Sequence, residues 1–170
     1  MSIAPGPLRD PAWPVARGAI GLWTVQGVVE ALVLGIGTAA FLLLVPASAG
    51  GLVPFLHWAV PILALVDAAV AILVRPRLSY RVHRWEVTDE AVYTLTGWLS
   101  RTWTLVPIAR IQTVDVTRGV MQQLFGLASV AVLTASSEGT VRVPHLEADV
   151  AQRVADDLAR RAAQVRDQAT

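Results

Sequence analysis

Three histidines, thirteen carboxylates and fourteen basic side chains are what this 170-residue chain could use for acid, base or metal chemistry near neutral pH. It has no cysteine, which removes disulfides, thiolate metal sites and thiol nucleophiles. Every basic residue is Arg, so a Schiff-base lysine and a P-loop lysine are absent as well. His57, His83 and His145 stand singly, without His-x-x-x-His or carboxylate-rich metal spacing. There is no Gly-x-Ser-x-Gly elbow and no glycine-rich phosphate loop. No enzyme, metal or cofactor is expected. A net charge of +1 gives no overall field for nucleic acid, and stacking of bases on the tryptophans finds no basic groove to support it.

Glu30 and Asp67 are the residues with the most chemistry, because each lies inside a long apolar run. A carboxylate facing lipid costs a few kcal/mol if ionised, so an intramembrane acid is a functional candidate by default. Three roles suit the pair: packing against a partner subunit, a shared proton, or a proton path in an oligomer. No third intramembrane polar residue completes a relay, and assembly is the favoured reading.

Two runs must position these acids. Hydrophobic residues make up 54% of the chain against 16% charged, too apolar for an ordinary soluble domain. The first 17 residues, with Pro5, Pro7, Pro11 and Pro14, read as a flexible tail. Spans are predicted over about residues 18–45 and 52–74, joined by an uncharged loop from Pro46 to Gly51. A hairpin folded about Ala49 and Gly50 brings Glu30 opposite residue 69, level with Asp67. Ala47-Ser48-Ala49 resembles a signal-peptidase site, but the preceding apolar run is about twice a signal peptide's usual length. Arg75, Arg77, Arg81 and Arg84 follow the second span before any acid appears. They predict a multi-pass protein of the inner (cytoplasmic) membrane with both termini cytoplasmic, and they could also hold anionic lipid headgroups. His57 and Trp58 fit the outer interface, as Trp23 fits a span end.

After Arg84 the period changes to that of strands. Candidate strands are Tyr80 to Val87, Val92 to Gly97, Arg101 to Val106, Ile111 to Arg118, Ser129 to Ala135 and Thr140 to Val143, with turns at Asp89-Glu90 and Ser136 to Gly139. Trp85, Trp98 and Trp103 are expected in the core or on a sheet face. Glu147 to Arg166 predicts an amphipathic helix, with Val150, Val154, Leu158 and Ala162 in its stripe, Ala151, Ala155 and Val165 beside them, Arg161 outside it, and His145 just before its start. About 90 residues from Tyr80 onward suffice for a core of their own.

The spans followed by Tyr80-Arg81, Gly97-Trp98-Leu99-Ser100-Arg101, the string Pro107-Ile108-Ala109-Arg110-Ile111-Gln112-Thr113-Val114-Asp115 and Leu124-Phe125-Gly126-Leu127 resemble the bacterial pleckstrin-homology (PH)-like domain family in its YdbS-like membrane form. The resemblance covers nearly the whole chain from the first span. It implies an α+β protein: a two-span transmembrane hairpin (18–74), then a cytoplasmic PH-like split β-barrel (75–170) capped by the C-terminal helix. It also implies no enzyme. Where family members carry a basic residue ahead of the Leu-x-Gly-Leu step, Gln122 and Gln123 stand here. The residues of the string read as structural: Pro107 ends a strand, Ile111 and Val114 are apolar positions, Gly126 allows a tight turn, and Arg110 and Asp115 pair locally or meet a partner. Two function classes follow. One is a membrane-anchored interaction module that assembles with another membrane protein with related domains, or as a homo-oligomer. The other is a sensor of anionic lipids.

Overall fold

The computed structural model describes residues 9–134 and 139–168, which form two compact units. One comprises Ile20–Arg77; the other joins the chain before it to the chain from Leu78 onward. The turn expected at Ser136 to Glu138 lies outside the described residues.

The first unit is the helical hairpin. Helix α1 covers Gly18–Leu44, and the second arm runs through α2 (Val53–Ala69), a π-helical turn (Val70–Val74) and α3 (Arg75–Val82). This arm passes the expected end at residue 74, so Tyr80 to Val82 are helical rather than the start of a strand. Pro76 explains the π turn. Its ring supplies no N–H to the preceding turn, and a widened i→i−5 turn lets the helix continue past it. The widened turn also aims a carbonyl at the other arm: a Cβ on Gly27 would lie 2.4 Å from the Ala71 oxygen, so only glycine permits this approach. Towards the loop the arms meet again, with the Phe41 and His57 rings 5.3 Å apart. The outward faces are apolar: Leu32, Val33, Ile36, Phe55, Leu63 and Leu65 are all exposed. Both arms are long and apolar enough to cross a membrane.

The second unit is built on two antiparallel sheets. One has the order β1 (Trp13–Pro14), β2 (Arg84–Val87), β3 (Ala91–Thr96), β4 (Thr102–Pro107); the other has β5 (Ile111–Thr117), β6 (Leu127–Thr134), β7 (Thr140–Glu147). A 3₁₀ turn (Ile108–Arg110) links the sheets, α4 (Val120–Leu124) joins β5 to β6, and α5 (Ala148–Gln168) follows β7. All six predicted strands are present, with boundaries moved by a few residues.

The N-terminal tail is a correction over its described part. Trp13 pairs with Trp85 and Pro14 with Arg84, Val15 is buried, and the Ala12 amide and Arg9 guanidinium both bond the Glu86 carboxylate. Residues that precede proline favour extended backbone, and Trp13-Pro14 uses that preference to add an edge strand.

The core draws Val92 and Val106 from the first sheet, Ile108 and Ile111 from the corner, and Val130, Val132, Val143 and Leu146 from the second. Helix α5 closes it with Ala151, Ala155, Leu158 and Ala162. The buried stripe is thus rotated from the predicted one towards the alanines, whose small side chains let the helix lie close to the sheet. Trp98 and Trp103, expected inside or flat on a sheet, are 41% and 37% exposed, while Trp85 packs at the core edge.

Candidate functional site

The four arginines predicted as one cationic patch are largely committed to other partners. Arg75 Nη1 lies 3.0 Å from Glu30 Oε2. Arg77 donates to the Leu73 carbonyl one turn back, and Arg84 reaches the Ala12 carbonyl at 3.5 Å. Arg81 is exposed and makes no hydrogen bond or ion pair among the described residues.

The Arg75 contact also bears on the two acids. Glu30 has the Arg75 guanidinium beside it, and no contact between Glu30 and Asp67 is found among the described residues. The long guanidinium arm reaches back along the hairpin to a carboxylate that backbone register alone placed opposite residue 69. Asp67 is left exposed on the outer face of α2, between Val66 and Ala68, with no hydrogen bond or ion pair among the described residues.

The Pro107 to Asp115 string separates by chemistry. Pro107 closes β4, the Ile108 amide bonds the Glu90 carbonyl at 2.8 Å, and Ile108 and Ile111 enter the core. Val114 packs at the core margin. A register shift at Gln112 turns that side chain outward, and Arg110 and Asp115 point to solvent without pairing with each other. Gly126 has φ 66°, which a side chain would strain, and its carbonyl accepts the Ala148 amide that starts α5.

Sequence reasoning missed a polar knot at this corner. The Gln122 side-chain oxygen accepts the Gly119 amide, while its nitrogen donates to Ser129 Oγ at 2.8 Å and to His145 Nδ1 at 3.2 Å. Where the resemblance implied a cation, a neutral amide ties α4 to β6 and β7. His145 holds a left-handed backbone (φ 56°) within β7 rather than standing just before the last helix. Burial pushes its pKa below the ordinary imidazole value, with nearby His83 adding to the effect. His83 is likewise lowered by burial, against the opposing bond to the Ser79 carbonyl. His57 Nδ1 lies 3.1 Å from the Val53 carbonyl. Among the described residues no group of three His, Cys, Asp or Glu side chains is placed to hold a metal ion.

With the fold and these contacts in view, comparison with known proteins is decisive at the family level. Residues 29–162 match the bacterial PH domain family. The chain belongs to this family. The match begins inside α1 and runs deep into α5, so this bacterial PH domain protein is similar to its family through the hairpin as well as the barrel. The transmembrane protein YdbS of the UPF0699 group, from Bacillus subtilis (strain 168), is 24% identical over 158 residues, spanning 89% of this chain and 93% of that protein. No solved structure matches the chain. The expected α+β architecture therefore stands, and the two apolar arms, with a transmembrane relative, make this PH domain protein a membrane protein.

Proposed function

We propose that the chain is a non-catalytic interaction module of the cytoplasmic membrane, with both termini cytoplasmic, which assembles with another membrane protein with related domains or with a second copy. Asp67 carries the reading. An exposed carboxylate on an apolar helix surface is costly in lipid, and a facing helix that donates a hydrogen bond or a charge would relieve it. The pairing of β1 with β2 supports the topology, since it joins chain before the hairpin to chain after it. The arginines that follow the second arm favour the cytoplasmic side.

The test is complex stability in nanodiscs. Asp67→Leu is expected to lower the stability of the oligomer or of the native complex at least several-fold, and Asp67→Asn, which keeps a hydrogen-bonding group, to lower it less. Unchanged assembly for both variants refutes the reading. Reporter fusions at residues 49 and 170 should read opposite sides; a shared cytoplasmic signal refutes the topology.

One observation favours anionic-lipid sensing instead: Arg77 and Arg81 are exposed one turn apart on α3. Cationic residues near a membrane surface contribute about 1 kcal/mol each, and Arg75 and Arg84 already have partners. Under this reading, retained anionic lipid falls with salt and with Arg81→Gln, whereas assembly through Asp67 does not.

A further inference from the structure

Between β4 and β7 lies a cleft of about 780 Å³. The way each strand lines it reveals its construction. Successive side chains of a strand point to opposite faces, so a strand that meets a cavity with its face contributes alternate residues, and one that meets it with its edge contributes consecutive ones. Strand β3 contributes Thr94 and Thr96. Strand β4 contributes Thr102, Trp103, Thr104 and Leu105, and β7 contributes the consecutive Thr140, Val141 and Arg142 together with Pro144. The cleft therefore has a floor formed by the face of β3 and two walls that are strand edges. Each edge strand has a paired neighbour on one side only, β3 for β4 and β6 for β7.

Exposed edges are ordinarily blunted by charge, proline, a bulge or a cover. From Thr102 to Val106, β4 carries no charge or proline, and its β-branched and aromatic residues suit pairing. The floor is polar where a barrel interior is ordinarily apolar: Thr94 pairs across strands with Thr104, and Thr96 with Thr102. The Thr94 hydroxyl makes no hydrogen bond among the described residues, so it is available on the cleft side. Arg142 is the charged side chain lining the cleft, and it makes no ion pair among the described residues.

We propose that this seam takes an extended acidic segment of a partner protein. The added strand bonds the free backbone edges of β4 and β7, sets one face of its side chains on the threonine floor and brings a carboxylate to Arg142. Pro107 and Pro144 lack donors, which confines the pairing to about residues 102–106 and 140–143. The inference rests on the reading of the chain as an interaction module and adds where the partner lies and what it carries.

The test uses the full chain in nanodiscs and a peptide of about eight residues alternating valine and glutamate, with a valine–lysine peptide as control. Hydrogen–deuterium exchange should slow at 102–106 and 140–143 with the acidic peptide alone. Arg142→Glu should weaken that peptide about tenfold or more and favour the basic one. Thr94→Val should weaken it a few-fold, with the melting temperature unchanged or raised. Equal responses to both peptides, protection confined to other strands, or protection by inorganic phosphate and not by peptide would each overturn the proposal. Loss of the seam response while assembly still depends on Asp67 dismisses the seam alone, so its failure is distinguishable from failure of the module reading.

Discussion

A single amide decides how the corner between β5 and β6 behaves. Gln122 donates to His145 Nδ1, so the imidazole must accept there and carry its proton on Nε2. A second proton would set two donors against each other. Burial lowers the folded-state pKa of His83 and His145 below about 6.5, the value expected in the unfolded chain. Below that pH the unfolded chain takes up protons first, so stability is complete above about 6.5 and is lost as pH falls towards the folded-state values. The melting temperature in detergent should be flat from about pH 8 to 7 and fall between about 6.5 and 5. Asn tolerates the left-handed backbone at 145, and His145→Asn should make that fall shallower; an unchanged slope would remove His145 as its source. The isolation of the histidines was legible in the sequence. Their hydrogen-bond partners were not, because Gln122, Ser129 and His145 meet only when β6 pairs with β7. Arg161 teaches the same lesson: periodicity placed it outside the stripe, yet it ties Asp157 on its own helix to Asp89 in the β2–β3 turn.

Among the elements, α5 is the one on which the core depends most. Leu158 is fully buried within it, so Leu158→Ala should cost about 2–5 kcal/mol, whereas Arg161→Ala, which loses partly exposed ion pairs, should cost about 1 kcal/mol or less. Thermal melts of the two variants compare them directly, and equal losses would mean that the helix does not seal the barrel. The hairpin has a counterpart in Gly27. Gly27→Leu would drive a side chain into the Ala71 carbonyl and part the arms. Cysteines placed at 41 and 57, in a chain with none of its own, should then cross-link less than in the Gly27 parent; an equal yield would show that the close approach is dispensable. Elements with a long, regular period were legible: both arms, six strands and the last helix. What escaped was short or context-made. Five-residue α4 and two-residue β1 hold too few turns or alternations for a period, and the π turn answers to Pro76 and the neighbouring arm rather than to its own residues.

At the scale of the molecule, the barrel is not a contiguous stretch of chain. The sequence suggested that residues from Tyr80 onward form a sufficient core, but Val15 and β1 complete the first sheet from the far side of the hairpin. A chain starting at residue 78 should therefore melt at a lower temperature than one supplied with a peptide of residues 9–17, and no gain on adding the peptide would mean that the strap is ornamental. The separation also has a consequence for biogenesis. Pro14 precedes Trp85, whose indole N–H bonds the Pro14 carbonyl, by 71 residues, which a ribosome making about 5–20 residues per second needs some 4–14 seconds to add. During that interval the strap waits while both arms are threaded into the bilayer. Until β1 docks, β2 keeps a bare edge.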